Sequence, residues 1–193
     1  MIGYALKQGL RALAASAILA LAGPAIAEVP LGDDGLHKPD WLQETFLDLR
    51  EDLADANAAG KRMMIIIEQR GCIYCTKMHE KIFPNPDIDA MIRESFFVVQ
   101  VNLYGDLEVT DFDGTVLSEK DTARRWNTVF TPTMIFLPEE VPEGVTAISA
   151  ASAVMPGAFE RATTLAMFTW VRDKEYDNIE FQRYFAENFY AQE

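Results

Sequence analysis

The sequence predicts a single α/β domain: a central mixed sheet flanked by helices. Three observations carry this expectation. Residues 63–67, 96–103 and 134–137 are short, mostly apolar runs rich in Ile, Val, Phe and Met. Runs of that length read as strands buried on both faces. Segments with apolar residues at helical spacing alternate with them, which puts helices between strands. The third is size: 193 residues, 49% of them hydrophobic, suffice for one real core.

The chain opens on a segment that this fold does not use. Lys7 and Arg11 precede, or open, an unbroken run of Ala, Leu and Ile with one Ser over residues 12–22. Gly23 and Pro24 break the run, and Ala25 and Ala27 offer small residues at the two cleavage positions. Residues 1–27 therefore read as a secretory signal peptide. The alternative is an uncleaved membrane anchor, but the run covers 11 residues, where a crossing helix needs about 20. No stable membrane insertion is expected after signal cleavage. The formal net charge is −13, and loss of the two leader cations takes the remaining 166 residues to −15. That balance argues against nucleic acid and anionic membrane surfaces as partners.

Residues 28–39 are polar, contain glycine and lack periodicity, so they are expected to form a flexible leader. His37 lies there without an evident partner and reads as solvated. Asp40 and Gln43 make a capping-box pattern behind Pro39. Leu42, Phe46, Leu49, Leu53 and Ala56 follow at helical steps, with Asp48, Glu51, Asp52 and Asp55 mostly off that stripe. Gly60 is placed to end the helix. The run 63–67 is the first strand, closed by the turn Glu68-Gln69-Arg70-Gly71. A helix follows to Phe83, with Cys75, Met78 and Ile82 on one face, and Pro84 stops it. Ile88, Met91 and Ile92 mark a short helix after Asn85. Residues 96–103 then complete a β-α-β unit, which favours parallel pairing.

Residues 104–120 are acidic, and Asp113-Gly114 between Val109, Phe112, Val116 and Leu117 predicts a β-hairpin insertion. Residues 121–127 read as a helical turn or two. Pro132 opens the strand 134–137, one of the few places a sheet tolerates proline. Residues 145–154 are expected to supply a fourth strand. Helices follow over 159–170 and 179–189, on the stripes Phe159, Thr163, Ala166, Trp170 and Phe181, Tyr184, Phe185, Phe189. The domain is set at 40–173, with 174–193 as a C-terminal helical extension.

The chain's two cysteines, Cys72 and Cys75, lie between the first strand and its following helix. Such a pair can be a staple, a metal clip or a redox couple. A two-residue gap closes a very small loop and removes little unfolded-chain entropy, which weakens the staple. For a metal, Cys72, Cys75 and His79 share helical spacing and form a candidate copper set, but a third cysteine is lacking. Read alone, His79 is an ordinary helix residue. For a redox couple, the helix start stabilises a thiolate on Cys72 through unpaired N–H groups and the helix dipole. Cys72 would attack and Cys75, one turn further in, would resolve. Arg70 reads as a surface arginine, with a place beside the thiolate as the alternative.

The order strand, Cys-x-x-Cys helix, strand, helix, Thr131-Pro132, strand resembles the thioredoxin superfamily over roughly residues 40–173. The resemblance implies a thioredoxin-like fold with Cys72 as nucleophile and Cys75 as resolving thiol. It implies that Pro132 is a cis-proline facing the pair, and that the backbone of Thr131 pairs with bound substrate. The proline also occupies the place where a third metal ligand could sit, so no metal and no cofactor are expected. A narrower stretch, residues 68–75 with Lys77-Met78-His79-Glu80 and Thr131-Pro132-Thr133, is similar to exported thioredoxin-like proteins linked to bacterial sulfur oxidation. Relatives of that kind mostly keep partner cysteines reduced. They imply a periplasmic thiol-disulfide oxidoreductase acting on a disulfide-bearing protein or small thiol, supplied by a membrane or periplasmic electron donor. The sequence departs from ordinary thioredoxin in three places. Gly71 replaces the Trp before the first cysteine, Ile73-Tyr74 replaces Gly-Pro, and Ile66 stands where a buried Asp accepts the second thiol's proton. Glu68 is the nearest carboxylate and the candidate proton acceptor.

Overall fold

The computed structural model describes residues 29–189. The expected signal peptide, residues 1–27, lies outside the described residues, as do the last four residues of the extension. Among the described residues, no helix is long and apolar enough to cross a membrane.

The elements run α1 (Leu49–Ala58), β1 (Arg62–Glu68), α2 (Ile73–Lys77) and a π-helical turn (Met78–Ile82) that continues α2. Next come α3 (Pro86–Ser95), β2 (Phe96–Asn102), the hairpin strands β3 (Glu108–Thr110) and β4 (Val116–Ser118), and α4 (Glu119–Arg125). The chain finishes with β5 (Thr133–Phe136), α5 (Ala147–Ala150), β6 (Ala153–Pro156), α6 (Arg161–Arg172), a 3-10 turn and α7 (Phe181–Asn188). The main sheet has the order β2-β1-β5-β6. β1 pairs with β2 in parallel and with β5 antiparallel, and β6 runs antiparallel to β5. This is the expected mixed sheet with β1 inside it.

The continuous apolar run of β1 is explained by its two covered faces. Met63, Ile65 and Ile67 join Val99, Val101 and Ile135 in a core closed by α1 and by Trp126 after α4. Met64 and Ile66 join Val98, Met134 and Phe136 on the other face, under Met78, Ile82, Ile88, Ile92 and Phe168. Side chains alternate along a strand, so Glu68 continues the row of Met64 and Ile66 onto the face covered by α2. The π turn after α2 absorbs one extra residue per turn, with the Phe83 amide bonding to the Met78 carbonyl.

Three segments differ from the sequence expectation. The first helix starts at Leu49, not Asp40: Asp48 Oδ1 accepts from the amides of Arg50 and Glu51. Leu42 instead bridges Val98 in parallel and the Gln43 amide donates to the Val98 carbonyl, covering the edge of β2. That pairing satisfies backbone groups an edge would leave open, and it leaves Phe46 exposed while Leu49, Leu53 and Ala56 remain inward. Asp52, expected off the stripe, is buried. The stretch 145–154 is half helix: Thr146 caps α5, and only Ala153–Pro156 pairs with β5. Residues 29–39, read as a leader without periodicity, fold back on the domain. Leu31 bridges His37, Leu36 is buried, and Arg70 clasps the carbonyls of Asp33 and Asp34.

Candidate active site

β1 delivers the chain to the site, and Gly71 makes the turn. Its φ of +71° lies in the left-handed region that a side chain strains. Cys72 is then the N-cap of α2, in extended conformation, and its Sγ accepts from the Cys75 amide at 2.9 Å. Cys72 and Cys75 are joined by a disulfide with Cα atoms 5.2 Å apart. Cys72 is 7% exposed and Cys75 1%, so the first cysteine is the more accessible of the two.

Thr131 and Pro132 face the pair from the start of β5. The Thr131–Pro132 peptide bond is cis. Thr131 Oγ1 donates to Cys72 Sγ at 3.3 Å, and the Thr131 carbonyl oxygen lies 3.4 Å from the same sulfur. The Pro132 carbonyl accepts from the Gly157 amide, which ties this loop to the end of β6. Exposed Ile73, Tyr74, Val129 and Phe130 form an apolar rim on the two segments that meet at Cys72. Arg70 takes no part in it, because its guanidinium holds the leader carbonyls.

Glu68 is 1% exposed and sits in a polar cluster beneath α2. Its carboxylate oxygens lie 3.0 and 3.1 Å from His79 Nε2, and Gln100 Nε2 donates to it at 2.7 Å. The network continues from Gln100 to the His37 carbonyl and, through Gln100 Oε1, to Lys38 and Asp34. The imidazoles of His37 and His79 stack with ring centres 4.5 Å apart. Trp41 stacks beyond, and Phe83 packs edge-on against His79. Burial and the neighbouring His79 hold His37 below the usual imidazole range. Thus His37 is a stacked member of the cluster rather than a solvated residue, and His79 is fully buried rather than ordinary.

The copper set suggested by spacing does not assemble. Among the described residues, the metal-type trio whose ligand atoms lie within 4.8 Å of one another is His37, Glu68 and His79, without either cysteine. That trio is itself a poor ligand set. An ion binds in the plane of each imidazole, and the two ring planes are only 11° from parallel at stacking distance. Such planes do not converge near their nitrogens. The cluster is held by stacking and hydrogen bonds instead. His37 and Gln100 were not evident as its members from sequence. Gln100 carried one signal: a polar residue in the apolar strand FFVVQVN, on the same face as Phe96 and Val98.

A family model for the thioredoxin-like domain matches residues 49–151. No curated protein matches the sequence. Among solved structures, a thioredoxin-fold protein from Helicobacter pylori superimposes with a TM-score of 0.53 at 17% identity, covering 68% of this chain and 81% of that one. A thioredoxin from Thermus thermophilus gives 0.49 at 22% identity over 64% and 83% of the two chains. A DsbH oxidoreductase gives 0.45 at 13% identity over 79% and 95%. A match over more than half the sequence, on a mixed sheet that sets a cis-proline against a Cys-x-x-Cys helix start, makes this chain a member of the thioredoxin-like domain family.

Proposed function

We infer that the protein is an extracytoplasmic thiol-disulfide oxidoreductase that exchanges the Cys72/Cys75 dithiol-disulfide with protein or small-thiol partners, working as a reductase. One observation carries the reading: Cys72 Sγ lies at a helix start, 3.3 and 3.4 Å from the hydroxyl and carbonyl of Thr131 before a cis-proline. A strand laid along Thr131 would bring its own disulfide to Cys72, with the apolar rim taking its side chains. Cys72 attacks, a mixed disulfide forms, and Cys75 displaces the reduced partner. Pro132 keeps the loop that presents Thr131 against the sulfur.

The expected signal peptide supports a periplasmic location, with a membrane or periplasmic donor returning the pair to the dithiol. Likeness to exported proteins of bacterial sulfur oxidation supports the reductase direction. The test is insulin reduction by the dithiol form together with its redox potential. Turnover that disappears in Cys72→Ser, at a potential well below that of oxidising foldases, is the expected result. A potential near those foldases would reverse the direction.

A further inference from the structure

The end of β1 that leads to Cys72 also holds the turn by which the chain leaves β2. The Leu103 amide donates to the Glu68 carbonyl at 2.7 Å. Asn102 closes that turn: its carbonyl accepts from the Gly105 amide and its Oδ1 from the Tyr104 amide, which leaves Tyr104 exposed. Nearby, α4 ends at Asn127, whose φ of +53° turns the chain out of the helix. The Thr128 amide returns to the Ala123 carbonyl at 2.9 Å. Val129 and Phe130 follow, both exposed, and the Phe130 carbonyl accepts from the Thr133 hydroxyl at 2.7 Å. Between them and Thr133 comes Thr131, with its contact to Cys72 Sγ.

A groove of about 310 Å³ opens among these segments. Leu103 and Tyr104 line it from the turn after β2, Lys120 and Arg124 from α4, and residues 127–129 from the loop that runs on to Thr131. Its charged lining residues are both cations, in a chain with 30 acids and 17 bases. Two larger cavities carry both signs: Lys38 and Arg93 with Asp40 and Asp89 in one, Lys38 among acids such as Glu44 and Asp106 in the other. Lys120 and Arg124 are one helical turn apart, so α4 presents them on one face. Lys120 Nζ pairs with Asp106 and Arg124 Nη1 with Asp121, and neither acid lines the groove. The Arg124 side chain is 75% exposed. Its Nε and Nη2 edge has no protein partner among the described residues, and that is the edge that grips a carboxylate through two parallel N–H groups. Lys120 spends one of its three ammonium donors on Asp106.

We propose that this groove is a specificity subsite for an acidic segment of a disulfide-bearing polypeptide. It rests on the dithiol-disulfide exchange inferred above and names the chemistry of the partner. An Asp or Glu a few residues from the partner's cysteine docks on Arg124 and Lys120 while the partner strand lies along Thr131. The exposed apolar groups at the same place, Tyr104, Val129 and Phe130, suit a polypeptide rather than a small thiol. The acidic balance of the whole chain opposes such a partner at long range. At about 0.15 M salt that repulsion is screened beyond about 8 Å, so the charges in contact decide. A carboxylate far from the partner's cysteine gains nothing, and selection falls on the residues that flank it.

The experiment is single-turnover reduction of disulfide-linked peptide dimers by the reduced protein, followed by chromatography. One peptide carries a run of Glu before its cysteine, a second carries it after, and each has a Gln counterpart. A small aromatic disulfide is the reference substrate. At about 0.15 M salt one Glu peptide should be reduced about fivefold faster than its Gln counterpart. The preference should vanish in the variant combining Lys120→Gln and Arg124→Gln, and at about 1 M salt, where the screening length is about 3 Å. Arg183→Gln, which removes a charge from α7, should keep it. Every variant should reduce the aromatic disulfide at the wild-type rate, because the altered side chains are exposed and exposed ion pairs hold little stability. A wild-type protein that prefers neither Glu peptide would overturn the proposal. So would a preference that survives in the combined variant, or one lost equally in Arg183→Gln, which marks net charge as its cause. A combined variant slowed alike on every substrate would also overturn it, as the mark of a damaged site. A wild-type protein that reduces neither the peptides nor the aromatic disulfide would instead sink the exchange reading itself.

Discussion

Thr131→Val isolates one hydrogen bond to the attacking sulfur. The Cys72 sulfur receives the Cys75 amide at 2.9 Å and the Thr131 hydroxyl at 3.3 Å. Valine keeps the shape and removes the second donor. A hydrogen bond to a charged group contributes about 1.5–3 kcal/mol, and the longer contact belongs at the low end. About 1.4 kcal/mol is tenfold in the thiolate fraction wherever the thiol is mostly protonated. The more basic thiolate is also the better nucleophile, by about threefold for a tenfold change in basicity. The two effects partly cancel. The variant should alkylate about three- to fourfold more slowly in acid and about threefold faster at high pH, so the pH–rate profiles cross. The assay is iodoacetamide alkylation in a Cys75→Ser background, where one thiol reacts. Thr131→Ser should restore the original profile. Profiles that superimpose, or that shift one way at every pH, would refute the claim that the hydroxyl stabilises the thiolate.

Cys75→Ser should hold a natural partner as a mixed disulfide on Cys72, released by reductant and absent in Cys72→Ser, as read by non-reducing electrophoresis and mass spectrometry. Asp52 is a separate matter of stability: burial lifts its carboxyl to about 6 from 3.8, against the hydrogen bond from Thr45. The native state therefore holds the proton to higher pH than the unfolded chain, and stability falls as pH rises from about 4 to 6. Asp52→Asn should remove that decline and add up to about 3 kcal/mol at pH 7, with no gain below pH 4, in urea melts across pH. Asp111 accepts at 2.8 Å from Trp126 Nε1 and from the Ala147 amide, joining the hairpin to α4 and α5. Asp111→Ala strands those buried donors and should cost about 3–5 kcal/mol, read as a shifted urea midpoint.

The sheet was legible because burial on both faces shows directly in composition: the residues of β1 need no partner to be recognised as apolar. The cysteine pair was legible because its meaning is local, four consecutive residues at a strand–helix junction. The start of α1 was not. Asp40 and Gln43 carry a real capping pattern, but the edge of β2 competes for the same backbone, and nothing near Asp40 announces that edge. Residues 29–39 were opaque for the same reason. Their anchors are Arg70 and Gln100, 36 to 63 positions away. His37 reads as solvated until the ring stacked on it is known. The hairpin, by contrast, is announced by its own turn, Asp113-Gly114, with Gly114 at a φ of +82°.

Glu68 shows how a missing residue and an unexpected one can be a single change. Ile66 and Glu68 share a face of β1, two residues apart, which is about 7 Å along the strand. A carboxylate moved that far does not stand where an acid at 66 would stand beside the resolving thiol. Its nearest imidazole is His79, one helical turn after Cys75, about 6 Å along the helix. The apolar Ile66 is therefore informative in its own right. It leaves Glu68 free to pair with His79, buried and hydrogen-bonded, as the polar cluster beneath α2.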